Sequence, residues 1–315
     1  MKSKARPTYK TQYRVAYWSA YNQALVRRGD VTLWLAPEAV AAWTPRRGGT
    51  RGGQRRYSDL AIETALTLRL IYHLPLRQAE GFLNSLFAVM DLDLFSPNDT
   101  TLSRRGRHLS HHLRPPVQTD GGIHLVLDST GLSIVGEGEW TAVKHGGRGR
   151  RGWKKLHLGV DRSGMIVAQV LTDEHLDDAT TGVALIDTVD GDILSVTADA
   201  AYDTLAVYGA TKARGGTVVV PPKRTAVISR RQPRSAARDR KIRRLNEIGR
   251  RRWRKEAGYH QQARVENGFF RYKSIIGDAL RARTPAGQAT EAILACNVLN
   301  RMTELGRPES RRIRS

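Results

Sequence analysis

The chain has 315 residues, 40% of them hydrophobic, which supports real cores and suggests two domains with a small appendage. With 52 Lys and Arg against 30 Asp and Glu, the formal charge is +22 and the pI about 10.8, so a polyanionic partner is expected, nucleic acid foremost. One cysteine excludes a disulfide framework or a cysteine zinc site, and no apolar run or signal-peptide pattern marks a membrane or secreted chain, so the expectation is a soluble protein, cytoplasmic and nucleoid-associated.

Residues 1–45 form an N-terminal segment in which TQYRVAYWSAYNQALVRRGDVTLWLAPEAVAAW predicts a short packed helical region. A linker over 46–56 follows, where RRGGTRGGQRR interleaves arginine with glycine; it reads as a flexible connection or as an arm that grasps phosphate. A helical domain is expected over 57–118. Ser58 is a plausible N-cap for SDLAIETALTLRLIY, Pro75 marks a break, and Asp99 or Thr100 can cap a third helix carrying Arg104, Arg105, Arg107 and His108. Three short helices with a basic third one suit a helix-turn-helix type DNA reader, the alternative being a purely structural bundle. His108, His111 and His112 lack an acid or cysteine that would complete a metal site and count with the basic face.

From residue 119 to 305 the texture is α/β. GIHLVLDSTGLSIVG, KKLHLGVDRSGMIVAQVLT and GDILSVTAD are strand-like runs, Asp161–Gly164 is a turn joining an antiparallel pair, and LDDATTGVALIDTV is a helix, which together predict a mixed sheet with flanking helices. GRGRRG at 147–152 matches the dinucleotide-binding string, but the run after it, WKKLHLGVD, looks like a strand where that fingerprint needs a helix. Arg148, Arg150, Arg151 and Lys154, with Lys155, are better read as a basic loop or hairpin on a phosphate backbone. Residues 221–256 carry 15 Lys and Arg against 3 acids, a basic insertion expected to lie near DNA and in part to order only on binding it. Within it Arg251, Arg252 and Arg254 are DNA-facing candidates, and Trp253 either stacks on an unpaired base or anchors its helix. Cys296 reads as a small core residue, and 306–315 as a basic tail.

In so acid-poor a chain, carboxylates at strand ends are informative. Asp128 ends HLVLD and Asp199 ends ILSVTAD, so the two are expected to meet across adjacent strands. At about 100° per residue, Tyr259, Gln262, Glu266 and Lys273 form a polar helical stripe beside an apolar one of Val265, Phe269, Tyr272 and Ile276. Two aspartates and a glutamate make an all-oxygen donor set suited to a pair of hard divalent ions that promote phosphodiester displacement.

LVLDST, ADAAYD and YHQQARVENGFFRYK, in this order, resemble the DDE transposases of bacterial insertion sequences, which carry a Tyr-x2-Arg-x3-Glu-x6-Lys signature. Tyr259, Glu266 and Lys273 match it, Gln262 stands where the arginine is usual with Arg264 nearby, and Asp199-Ala-Ala-Tyr202 selects Asp199 over Asp203. The resemblance implies a ribonuclease-H-like catalytic domain behind the helical DNA-binding part. It implies Asp128, Asp199 and Glu266 as catalytic residues and ligands of two Mg²⁺ or Mn²⁺ ions, with Tyr259, Gln262, Arg264 and Lys273 positioning DNA. It implies binding to terminal inverted repeats, cleavage at element ends, joining of 3′-hydroxyls to target DNA, and a homodimer on paired ends. The alternatives are a DNA-binding regulator without cleavage and a nuclease without strand transfer.

Overall fold

A computed structural model describes residues 13–45, 54–109, 112–114, 121–135, 152–230, 232 and 234–312. Arg148, Arg150, Arg151, His111 and most of the Arg/Gly linker lie outside the described residues.

The N-terminal segment is helical, as its composition suggests, in three short pieces: α1 (Trp18–Arg27), α2 (Val31–Trp34) and α3 (Pro37–Ala41). It is preceded by a strand, β1 (Tyr13–Ala16), which pairs antiparallel with β8 (Glu309–Arg312), so the expected C-terminal tail contributes a strand instead. Helix α4 (Asp59–Ile71) starts where Ser58 accepts the Ala61 N–H at 3.0 Å, and α5 (Leu76–Val89) starts after Pro75. Asn98, rather than Asp99 or Thr100, caps α6 (Asp99–Gly106) by accepting the Thr101 N–H at 2.8 Å. Arg107 and His108 therefore fall just past the helix.

The sheet has the order β4-β3-β2-β5-β6. Strand β2 (Ile123–Ile134) runs antiparallel to β3 (Trp153–Val160), which is antiparallel to β4 (Ile166–Asp173); β5 (Ile193–Thr197) and β6 (Thr217–Val219) continue parallel to β2 on its other side. A two-residue strand, β7 (Ala279–Leu280), also pairs parallel with the far end of β2. The strand at Trp153 removes the helix that a dinucleotide fingerprint at 147–152 requires. One face of the sheet, with Leu125 and Leu127, packs on α7 (Asp178–Thr188) and α8 (Leu205–Ala213). The other, with Val126 and Leu132, packs on Val265 and Phe269 of α10 (Ala263–Arg271) and on Ala292, Ala295, Cys296 and Leu299 of α11 (Pro285–Leu305). Cys296 is wholly buried, the small core residue expected.

Helix α11 is apolar on more than one side and serves two cores. Its Leu294, Val298 and Met302 also pack with Trp34, Trp43, Ile62, Leu66, Leu83, Phe87 and Leu102, closing the core of α4–α6. The expected boundary between 57–118 and 119–305 is thus crossed by a shared helix, because three short helices bury too little area by themselves. In the basic region, α9 (Ala236–Glu256) spans more than half of residues 221–256. Gly249 breaks its helical geometry at φ 76°, a backbone region where glycine meets no steric cost.

Candidate active site

Asp128 lies in the middle of β2, opposite Leu158, not at a strand end. Strand β3 and then β7 supply hydrogen-bond partners to Ser129–Ile134, so the polar STG stretch that looks like a turn is carried along in the sheet. The expected meeting of the aspartates holds in register. Val126 pairs with Thr197 across parallel strands, and two residues further each chain reaches Asp128 and Asp199. Asp199 sits just beyond β5, where its Oδ1 accepts the Ala201 N–H at 2.9 Å and starts a single 3-10 turn over Ala200–Tyr202. Asp203 is not equivalent. Its side chain is wholly buried and accepts two hydrogen bonds from the Arg238 guanidinium at 2.8 and 2.9 Å and one from the Lys223 N–H at 3.0 Å.

Glu266 is exposed in the first turn of α10, which rests on the Asp128 side of the sheet through Val265 and Phe269. The segment is not one continuous α-helix: Tyr259–Gln262 is a 3-10 turn and Tyr272–Ile276 a π turn, closed by the Gly277 N–H to the Tyr272 carbonyl at 3.2 Å. The expected polar stripe is broken accordingly. Gln262 is buried and donates through Nε2 to the Leu127 carbonyl at 3.2 Å, tying the glutamate-bearing segment to β2. Arg264 and Lys273 are exposed, and Tyr259 is half-buried with the Arg254 guanidinium 5.4 Å from its ring centre.

Asp128 lies within the field of the other two carboxylates. The Asp128 carboxyl is pushed up to about 6, chiefly by burial; the Ser129 N–H, 2.8 Å from Oδ1, opposes this, and the negative charges of Asp199, Glu266 and Asp178 add to it. Tyr259 is raised by burial and by Asp199, with Arg254 opposing and Asp128 and Glu266 contributing less. Among the described residues no three Asp, Glu, His or Cys side chains are gathered tightly enough to hold a metal ion as they stand. In chemistry the donor set nonetheless fits a hard cation: it is all oxygen, and its like charges are in excess.

Asp178 escapes the sequence reading because its partners are remote in the chain. At the first position of α7 it accepts from Ser129 Oγ at 3.1 Å and Lys155 Nζ at 3.2 Å, and lies 3.8 Å from His157 Nδ1. The acidic pair Asp177-Asp178 at a helix start was the available signal. Tyr202, in the same neighbourhood, is raised by burial and by Asp178, Asp128, Asp199 and Asp177, and its buried hydroxyl has no hydrogen-bond partner among the described residues. Helix α7 passes so close to this ring that a β-carbon at Gly182 would come within 2.7 Å of it.

Several expected DNA contacts are otherwise engaged. Lys154 is held by Asp173, and Arg105 by Asp59 and the Tyr57 carbonyl, since each sits beside an acid on a neighbouring strand or helix. Trp253 is buried, the anchoring position of its two alternatives. Glu256, the last residue of α9, is paired with Arg244 at 2.8 and 2.9 Å. Arg104, Arg107, Arg251, Arg252 and Arg254 remain exposed.

The raised Asp128 carboxyl has a measurable sign. A native-state acid whose pKa lies above its unfolded value binds protons more tightly when folded, so its destabilising contribution grows as pH rises from about 4 to about 6 and persists above. Asp128→Asn is expected to raise Tm in metal-free buffer at about pH 8, with the gain shrinking towards zero at about pH 4. Thermal unfolding at both pH values checks this; an equal change at both would remove Asp128 from the charge-crowded site.

Two family models, both described as a transposase DDE domain, match this chain, one over residues 26–137 and the other over 119–301. A solved structure described as a cryo-EM structure of piggyBac transposase synaptic complex with hairpin DNA is similar at 12% identity, over 89% of this chain and 76% of that one, with a TM-score of 0.37. At that score the likeness carries no functional argument.

Proposed function

The chain belongs to the transposase DDE-domain family, and on that premise we propose that it is the transposase of a bacterial insertion sequence, binding the terminal inverted repeats of its element, cutting at the ends and joining the 3′-hydroxyls to target DNA. The observation that carries this reading is the convergence of Asp128, Asp199 and Glu266 from β2, the end of β5 and α10, with Asp128 pushed up to about 6 by burial and by its acidic neighbours. A ribonuclease-H-like reading of the catalytic region is supported by the three antiparallel strands followed by parallel β5 and β6.

The three carboxylates would hold two Mg²⁺ or Mn²⁺ ions. When bound, such ions activate the attacking oxygen and stabilise the leaving one. The chain supplies the rest. Strand β2 fixes Asp128, Gln262 ties the Glu266 segment to that strand, and a small closure on DNA draws the two exposed carboxylates towards the fixed one. Arg264 and Lys273 flank Glu266 and bind backbone phosphate, while Tyr259 and Arg254 border the carboxylates on the α9 side. In joining, a bond forms between the 3′-oxygen and the target phosphorus as the target's own P–O3′ bond breaks, so the number of phosphodiester bonds is conserved. Two protomers act on paired ends.

The test is metal-dependent joining of a labelled 3′-hydroxyl end to plasmid DNA. Joined product in Mg²⁺ or Mn²⁺ and none in chelator is the expected result. Cleavage without joining would make the protein a nuclease, and end binding without either would make it a regulator.

A further inference from the structure

Away from the carboxylates, a cavity of about 1380 Å³ opens where the helical region meets the sheet domain. That exceeds the roughly 300–1,000 Å³ usual for small-molecule pockets. Its walls are the start of α5, α6 and the loop from β7 into α11. Arg104, Arg107, Arg281 and Arg283 line it, all exposed and none in an ion pair among the described residues. At its floor Arg69 is 8% exposed, 3.9 Å from Glu291, and its Nε finds no partner among the described residues. The N-terminus of α11, capped by Thr284 and without an acid in its first turn, opens into the same space. Arg281 donates to the His73 carbonyl at 2.8 Å and Arg107 to Ser103 Oγ at 3.5 Å, but guanidinium groups without a carboxylate partner, a helix N-terminus and an unsatisfied buried donor all favour an anion.

We propose that this cleft grips the phosphate backbone of the same duplex whose end lies at the carboxylates, an inference that rests on the transposase reading above. The spacing follows from β2. Asp128 and Ile134 are six residues apart on that strand, and Val135, next to Ile134, lines the cleft. At about 3.3 Å per residue the separation is roughly 20 Å. At about 3.4 Å per base pair, a duplex laid along β2 would place the gripped phosphates about six base pairs from the cleavage point. The cleft is thus a second holding point, built from residues 66–107, Val135 and residues 281–294, that fixes the angle at which an end enters the site.

The test uses the full chain and a fluorescent duplex of random sequence, with affinity measured over a series of KCl concentrations. Each lost phosphate contact lowers the steepness of log K against log[salt] by about 0.9. Arg283→Gln, whose side chain makes no bond in the described structure, is expected to lower it by about 0.9, and Arg281→Gln with Arg283→Gln by about 1.8. Arg162→Gln, an exposed arginine in the β3–β4 turn, is expected to leave it unchanged. Slopes equal to the parent's in folded cleft variants, or an equal loss with Arg162→Gln, would overturn the proposal while leaving the transposase reading intact. A parent that binds no duplex would overturn both. Because Cys296 is the only cysteine and is wholly buried, Arg283→Cys offers a single reactive thiol for a tethered backbone-cleaving chelate. On the end duplex used for joining, its cuts should fall about six base pairs from the joining position; cuts centred on that position would also overturn the proposal.

Discussion

Glu266→Gln should leave DNA binding nearly unchanged and abolish strand joining. The side chain is exposed and forms no ion pair among the described residues; Arg271, one conceivable partner, points its guanidinium at the Leu299 carbonyl 2.9 Å away. The substitution keeps size and helix propensity, and the loss of an acid from a first helical turn costs about 0.3–1 kcal/mol of stability. What it removes is the charge that holds a cation. Several kcal/mol of transition-state stabilisation, at about 1.36 kcal/mol per tenfold, corresponds to roughly a thousandfold loss of rate. Fluorescence anisotropy with duplex DNA and the joining assay in Mn²⁺ measure the two properties separately. Joining at close to the parental rate would sink the assignment of Glu266 as a metal ligand.

Asp203→Ala should do the reverse and act on stability. Its carboxylate is wholly buried and neutralises Arg238, itself 15% exposed, through two parallel hydrogen bonds, while also accepting the Lys223 N–H. Removing one member of such a pair leaves a largely buried guanidinium with only the Val227 carbonyl, and an amide without its partner, at a cost of about 3–5 kcal/mol. In a chain of this size that lowers Tm by roughly 5–15 °C. Asp199→Ala, four residues earlier and exposed, loses only a turn-starting hydrogen bond to Ala201, about 1 kcal/mol, yet should end joining. Thermal unfolding of both variants decides the matter: a larger Tm loss for Asp199→Ala would exchange their roles.

The contrast between these two aspartates shows what was legible in the sequence. Both stand in ADAAYD, and the resemblance selects Asp199; the reason Asp203 is committed elsewhere, an arginine 35 residues away, has no local trace. The strands around Asp128 and Asp199, the hairpin turn at Asp161–Gly164 and the helix from Asp178 were readable because side-chain period and turn residues act over short distances. The continuation of β2 through STGLSI was not, since it depends on strands supplied by residues 153–160 and 279–280. The apolar stripe of Val265, Phe269 and Tyr272 held, but assuming a uniform 100° per residue hid the 3-10 and π turns and so misplaced Gln262. Charge counting identified basic segments without separating free arginines from those, like Arg105, already held by an acid.

The sharing of α11 between two cores sets an order of events during synthesis. Helices α4 to α6 end at Gly106, whereas Leu294, Val298 and Met302, which complete their core, leave the ribosome about 190 residues later. At about 5–20 residues per second, those helices wait roughly 10–40 s with an apolar face uncovered. A chain interrupted before α11 lacks both that core and one wall of the basic cleft. The proposed cleft therefore forms only once α11 has been made, by which time all three carboxylates are already in the chain.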